Sequence, residues 1–482
     1  MRTAIIGGGI AGLAAAYELE KARAENPSIE YTLFESRDRL GGSMATDIVD
    51  GTVLERGPDS FLTEKPAAAE LCRELGLGAD LIYSNDAARK TFVVVKNRLV
   101  PLPDGLMFLV PTKLLPTALS PLFSLTTKIR MGLELLHPPR PIAHDESVAA
   151  LVERHFGPQA VDRLADPLLS GIYGGDAAQL SARTVLPKLV EMEAEYGSLT
   201  RGMLAAHKKM RAAMAARLAA NPSPQPGAGS GPRGIFTGLR GGLQQLVNAI
   251  QAKLDPLWIR LTAPVSAVER TASGWAVTHA GETSTYDAVI FATPAFAAGA
   301  LLAGVDASLA RELESIPYSS SITINLVYEE ARLGRLPDGF GFLVPASSGR
   351  AMLACTFAHR KFLGRTAPGK VVLRTFLGGT RNEALMGEPD KVLIATVRRE
   401  LSQILGARTL GVHMEPEHVQ VNRWRRAMAQ YAVGHGERMQ RIRESMASLP
   451  GLKLAGNAYD GIGIPDCIRL GRQAARELVA SK

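Results

Sequence analysis

The chain is short of cysteine. Cys72, Cys355 and Cys467 are its only three among 482 residues. They lie far apart, and no CxxC pair or His/Cys cluster puts any of them near a metal. Such a set forms no complete disulfide framework, so reduced thiols in the cytoplasm are expected. No uninterrupted apolar run reaches the roughly 18 residues of a membrane-spanning helix. The apolar stretch behind Arg2 is interrupted by glycines and by Glu18 and Glu20, which argues against a signal peptide. Charge of one sign is scarce too: 55 basic against 47 acidic residues leave +8. There is no dense basic run with interleaved aromatics, so nucleic acid is not an expected partner. The small excess favours anionic small molecules or an acidic membrane surface. A solenoid-type repeat is absent as well.

Glycine is plentiful, with 47 residues, and two glycine-rich turns stand at opposite ends of the chain. Apolar content of 46% and charged content of 21% are globular values, and the length predicts two or three domains. Residues 3–6 predict a buried strand, Gly12 to about Ala24 a helix, and "YTLFES" at 31–36 a second strand. Between the first two elements, Gly7, Gly8, Gly9, Ile10, Ala11 and Gly12 fit G-x-G-x-x-G. In that setting the glycines allow a tight turn and close approach of a pyrophosphate, and the helix N-terminus favours its charge. Glu35 ends the second strand at the spacing of a ribose-binding carboxylate.

Further along, a helix is expected at 67–75 and a hairpin at 90–103 with Lys96 and Asn97 in its turn. The apolar segment 104–140 is broken by Pro111, Pro116 and Pro121, so only short helices fit. Longer helices are expected from Ser147 to about Leu169 and from Leu186 to about Ala220. "NPSPQPGAGSGPRG" at 221–234 reads as a flexible loop. A β-rich run holds "APVSAVERTASGWAVTHAG" as a hairpin and "YDAVIFATP" as a buried strand, strands dominate 320–378, and helices follow at 391–405 and near 436–447. "GNAYDGIGIPDCIRLGRQAA" at 456–475 reads as a turn, a strand-like "GIGIP" and an amphipathic helix.

"ESRDRLGG", with Arg37, Arg39, Gly41 and Gly42, resembles the extension that FAD proteins with two dinucleotide-binding halves carry after the acidic strand. "GGGIAGLAAAYEL", "ERGPDSF", "SGIYGGDAAQLSARTVLPKLVEMEAEYGSL", "RWRRAMAQYAVGH" and "YDGIGIPDCIRLGRQAA" follow in order from residue 3 to about 478. Together they resemble the FAD-dependent, oxygen-linked protoporphyrinogen/coproporphyrinogen oxidases of haem biosynthesis. The resemblance implies an α/β fold: a doubly wound Rossmann-type FAD domain, a mixed-sheet substrate domain and a helical insertion, with amine-oxidase-like architecture. The division it implies is 1–66, 235–300 and 420–482 for FAD, and 67–103 and 301–419 for substrate. Segment 104–220 is the helical unit, either membrane-associating or a substrate lid.

The resemblance also implies noncovalent FAD held by the first glycine turn together with Glu35, Ser36, Arg39, Gly42 and Ser43. Gly57, Pro58, Asp59, Ser60 and Val265 would join them. Trp424, Gly456, Asn457, Ile462, Gly463 and Ile464 would line the flavin, the last three at a second helix entrance whose dipole would stabilise the reduced ring. The implied partners are a porphyrinogen, molecular oxygen, a second copy of the chain and a ferrochelatase that takes the product. No protein acid or base is demanded: the catalytic side chain stays unassigned, and His359 and His435 are candidate proton handlers only. Arg89, Lys90 and "KNR" at 96–98 are candidates for the substrate propionates. Thr91 stands where some relatives carry arginine, so coproporphyrinogen and protoporphyrinogen both stay open. Lys113, Lys128 and Arg130 would suit peripheral attachment to the inner face of the cell membrane. The competing expectations are an amine oxidase or carotenoid desaturase, and a non-catalytic FAD-stabilised binding protein.

Overall fold

The run Thr3–Ile6 is apolar apart from its threonine and is buried throughout. That pattern suits a strand covered on both faces, and it forms the centre of a parallel sheet. In the computed structural model, which describes residues 1–107, 109–141, 144–220, 234–411 and 413–481, β1 (Arg2–Ile6) leads into α1 (Ile10–Glu25) and β2 (Glu30–Phe34). The sheet order is Ile259–Arg260, β2, β1, Ala288–Phe291, Leu452–Leu454, and every pairing is parallel. The start, middle and end of the chain thus meet in one sheet. The C-terminal helix Ile464–Ala480 lies across α1. A Cβ on Gly471 would overlap the Ala11 carbonyl oxygen, so the small residues of both helices permit a crossing that larger ones would block. Arg472 and Arg476 then reach Glu18 at 2.7 and 2.8 Å.

A second, mixed sheet has seven strands, in the order His418–Ala429, Tyr318–Glu329, Lys370–Gly378, Met352–Phe357, Gly341–Leu343, Thr91–Val95, Arg98–Pro101. Only the pairing of Gly341–Leu343 with Thr91–Val95 is parallel. Strand Tyr318–Glu329 alternates. Ile322, Ile324 and Leu326 pack with Leu393, Val397 and Leu401 of helix Asp390–Leu405. Thr323 and Asn325, on the other face, donate to the Arg56 and Glu55 carbonyls at 2.6 and 3.0 Å. This polar face joins the sheet to the hairpin Thr46–Val49/Thr52–Glu55. Strand His418–Ala429 lies wholly in the mixed sheet, although the boundary drawn at 420 cuts it. The hairpin at 91–101 turns on Lys96 and Asn97, with φ of 50° and 61°, the left-handed pair of a type I′ turn.

The helical unit departs from the expected lengths. The helix expected from Ser147 ends at Phe156, because Gly157 has φ +88° and Pro158 follows. The helix expected from Leu186 is two, Pro187–Tyr196 and Leu199–Ala220. Gly197 between them has φ +73° and presses on the His137–Pro138 backbone, where a side chain would collide. The helices here are short, Leu114–Leu119 and Leu125–Leu133, but the first includes a proline and the second follows Pro121. Pro116 falls in a first turn, where a missing N–H costs nothing. "GIGIP" is not a strand: Ile464 opens the helix, and Asp466 accepts the Gly463 N–H at 3.2 Å. Of the expected loop at 221–234, all but Gly234 lies outside the described residues. Among the described residues no helix is long and apolar enough to cross a membrane.

Candidate functional site

The first glycine turn is built by close approach. Gly7 has φ +108°, and a Cβ there would sit 2.7 Å from the Ala292 carbonyl oxygen. A Cβ on Gly12 would overlap the Gly7 carbonyl. The Gly8 N–H donates to Glu35 Oε2 at 2.8 Å. The other Glu35 oxygen accepts from the Arg37 N–H at 2.9 Å and Ser36 Oγ at 3.2 Å. Gly9 differs from its neighbours, because nothing lies within 4 Å of where its Cβ would be. It caps α1 without a side chain, so the first N–H groups of the helix face open space. The donor set and the cradle fit a pyrophosphate.

The cradle leads on through contacts. A Cβ on Gly42 would be 3.3 Å from the Gly9 Cα, and the Gly41 N–H donates to the Gly8 carbonyl at 2.8 Å. Arg39 serves this loop from within, donating to the Leu40 and Met44 carbonyls at 3.2 Å and to that of Gly42 at 2.5 Å. The next contact is between Ser43 and Gly57: no Cβ fits on Gly57 beside the Ser43 carbonyl, and the Trp424 ring would be 3.5 Å from it. Trp424 Nε1 donates to the Arg56 carbonyl at 2.9 Å. Asn457 Nδ2 donates to the Ala427 carbonyl at 2.9 Å, and its own carbonyl accepts from Tyr431 Oη at 3.0 Å. Tyr431 Oη in turn accepts from the Gly461 N–H at 2.9 Å. Gly456 has φ +143° and faces Thr293, whose buried hydroxyl has no partner. A chain of contacts therefore runs from the α1 entrance through Gly42, Ser43 and Gly57 to Trp424, and from Ala427 on the same strand through Asn457 and Tyr431 to Gly461, beside the entrance formed by Ile462, Gly463 and Ile464. At the far end, Ala263, just ahead of Val265, donates its N–H to the Glu35 carbonyl at 2.9 Å. The open glycine cradle, the unpartnered hydroxyl and the uncapped start of α1 suit a long dinucleotide such as FAD.

Asp59 and Ser60 meet a cluster of buried cations, Lys361, Arg365 and Arg374, that the sequence reading did not suggest. Lys361 Nζ holds both Asp59 oxygens at 3.0 Å and Ser60 Oγ at 3.0 Å. Burial alone would raise the Asp59 carboxyl, but Lys361 and Arg374 outweigh it and hold Asp59 well below the usual carboxylate range. Glu55 goes the other way: burial pushes it up despite Arg365 nearby. The signal for this cluster was a lone charge, Arg374, inside the mostly apolar strand "VVLRTFL".

Burial lowers both candidate histidines to about 4, so both are neutral at pH 7. His435 stacks on Tyr431 at 4.3 Å, and neither histidine joins a proton-transfer constellation. Among the described residues no group of His, Cys, Asp and Glu could hold a metal. The hairpin carrying Lys96 and Arg98 occupies the opposite edge of the mixed sheet from the Trp424 strand. Five strand spacings separate the Trp424 strand from Thr91–Val95, about 24 Å measured along the sheet. Lys90 and the "KNR" triplet are therefore poorly placed to read a ligand held at the Trp424 edge of the sheet. Nearer is Lys65, which sequence reasoning missed. It is half-exposed and paired with Asp466 at 2.6 Å, beside the second helix entrance.

Residues 10–479 match the family of flavin-containing amine oxidoreductases. The chain is 34% identical to the coproporphyrinogen III oxidase of Bacillus subtilis, over 98% of this chain and 97% of that one. It is 31% identical to the human protoporphyrinogen oxidase, over 99% and 98%. A crystal structure of a protein from Exiguobacterium sp. 255-15 superposes with a TM-score of 0.83 at 31% identity, covering 100% of this chain and 99% of that one.

Proposed function

The chain belongs to the family of flavin-containing amine oxidoreductases, and from that premise we propose that it is an FAD-dependent porphyrinogen oxidase of haem biosynthesis. The observation that carries this reading is the relay of contacts between the two helix entrances, in a chain similar to porphyrinogen oxidases over nearly its whole length. The candidate FAD ligands are those along this relay, from Gly7–Gly12 and Glu35 through Gly42, Gly57 and Trp424 to Gly456–Ile464. When bound, FAD accepts a hydride from the substrate and passes the electron pair to oxygen, giving hydrogen peroxide. Oxidation of a porphyrinogen to a porphyrin removes six electrons, so one porphyrin accompanies three molecules of peroxide. The residues of the chain bind, orient and exclude water, and no side chain is required as acid or base. Lys65 is the cation placed to meet a propionate at the flavin end.

The FAD is held without a covalent bond. The turn before the last helix lacks cysteine, and Cys467 inside that helix is buried, its thiol pushed up to about 12 by burial. Denaturation therefore releases all of the flavin into the supernatant. Peripheral membrane contact belongs to the same reading: Leu115, Leu119, Leu125 and Leu136 are exposed on the short helices, near Lys113 and Lys128. The product would pass to a ferrochelatase.

The test is anaerobic. Stoichiometric porphyrinogen is mixed with the FAD-loaded protein and the visible flavin absorbance is followed. Rapid bleaching, reversed by oxygen, is expected. Full FAD occupancy without bleaching by either coproporphyrinogen III or protoporphyrinogen IX would overturn the reading and favour an amine oxidase.

A further inference from the structure

Three buried cations, Lys361, Arg365 and Arg374, meet two carboxylates, the buried Glu55 and the partly exposed Asp59, between the hairpin that ends at Glu55 and the mixed sheet. Asp59 is taken by Lys361 at 3.0 Å. Glu55 has Arg365 at 3.5 Å and also accepts from Thr46 Oγ1 at 2.6 Å and the Leu243 N–H at 2.8 Å. Each carboxylate thus has a cation of its own, and Arg374 is left over. Its side chain is sealed in, with the residue 3% exposed. One terminal nitrogen donates to the Glu55 carbonyl at 2.9 Å and the other to the Gly57 carbonyl. Its Nε has no acceptor. Asp59 and Glu55 reach it only as longer-range charges, and both are already engaged. Among the described residues no carboxylate forms an ion pair with it.

A buried cation without a counter-ion is unfavourable unless something else supplies the negative charge. Gly57, whose carbonyl the guanidinium grips, lies on the relay of contacts between the two helix entrances. We propose that Arg374 is a positioning residue for the cofactor, fixing the Gly57 backbone and supplying the positive charge that offsets the negative charge of the flavin once it has accepted a hydride. This inference rests on the FAD reading above. The balance is simple. The substrate loses a hydride, and the flavin gains two electrons and one proton. The accompanying substrate proton goes to solvent, so the bound ring ends one unit more negative. The fixed cation opposes that change without moving. A merely structural role, tying hairpin to sheet, is already served next door by Thr323, whose hydroxyl donates to the Arg56 carbonyl at 2.6 Å without charge.

The experiment compares FAD-loaded wild type, R374M, R374K and T323V. Each is reduced anaerobically against reference dyes to read the two-electron midpoint potential, and oxidised FAD affinity is measured by flavin fluorescence. Relative to oxidised FAD, R374M is expected to bind reduced FAD at least tenfold more weakly than wild type does, a potential lower by about 30 mV or more. R374K should recover most of the shift, and T323V should keep the wild-type potential. An R374M potential equal to wild type overturns the proposal, as does R374K falling as far as R374M, or T323V falling with it. Should R374M not fold, R374Q carries the same test, since it keeps a donor but no charge. No porphyrinogen is used, so the outcomes separate: wild type that binds no FAD refutes the cofactor reading, whereas FAD-bound variants with unchanged potentials refute the role of Arg374 alone.

Discussion

Gly9 separates two effects that usually arrive together in glycine substitutions. Its φ of −70° suits any residue, and an added methyl meets no protein atom within 4 Å. Gly9→Ala should therefore leave the stability of the apo-protein within about 0.5 kcal/mol of wild type while lowering FAD affinity at least tenfold. Chemical denaturation and flavin fluorescence titration check the two halves. Gly12→Ala should fail differently, because its methyl would overlap the Gly7 carbonyl; overpacking of this kind costs about 1–3 kcal/mol and appears in the apo-protein too. Asp59→Asn leaves Lys361 buried without its partner, and breaking a buried pair costs about 3–5 kcal/mol. A urea midpoint unchanged by Asp59→Asn would contradict the ion-pair assignment.

In the helical unit, electrostatics and helix capping meet at one histidine. His155 Nδ1 lies 3.0 Å from Glu134 and Nε2 3.1 Å from Glu193. Glu134 also caps the start of helix Leu199–Ala220 through the Ser198 hydroxyl at 2.8 Å and the Leu199 N–H at 2.5 Å. The other facing groups are Arg154, which also binds Glu193, and the His137 ring at 5.1 Å. Burial disfavours a charged His155, but the two carboxylates outweigh it and raise its pKa. A raised pKa stabilises the fold fully below the unfolded value of about 6.5, and that contribution is lost as pH rises through the folded value. Glu134 and Glu193 are pulled down in spite of burial, chiefly by their hydrogen bonds to His155, so their contribution is lost on acidification. Hydrogen-exchange protection at the Leu199 and Thr200 amides should fall between pH 6.5 and alkaline pH, and His155→Gln should flatten that fall. Equal pH dependence in both proteins would count against the assignment. Sequence patterning foresaw helices here but not their breaks. The positive φ at Gly157 is fixed by its turn and that at Gly197 by contact with His137 and Pro138. Neither is visible in a window of apolar spacing. The strand–turn–helix at Gly7–Gly12 was legible because its interactions are local.

For the whole molecule, the sequence order carried the architecture, since the motifs of the two helix entrances stand in the first and last thirty residues and the sheet joins them. What it could not carry was distance. Lys96 and Arg98 looked like propionate ligands in a linear reading, yet sheet order sends them to the far edge, and Lys65 takes the nearer place. Lys65→Ala should raise the KM for a porphyrinogen more than it lowers kcat, and a change confined to kcat would assign Lys65 a different task. The exposed leucines of the helical unit predict flotation with anionic vesicles, and Leu119→Asp with Leu125→Asp should abolish it. Flotation retained by that double variant would make those leucines part of a lid instead.

The most direct measurement is a pair of aerobic assays on coproporphyrinogen III and protoporphyrinogen IX, reading porphyrin fluorescence, oxygen uptake and peroxide together. FAD-dependent porphyrin formation is expected from at least one of them, with three oxygens consumed and three peroxides formed per porphyrin. A fully FAD-loaded protein that yields no porphyrin above the spontaneous rate from either substrate would contradict it.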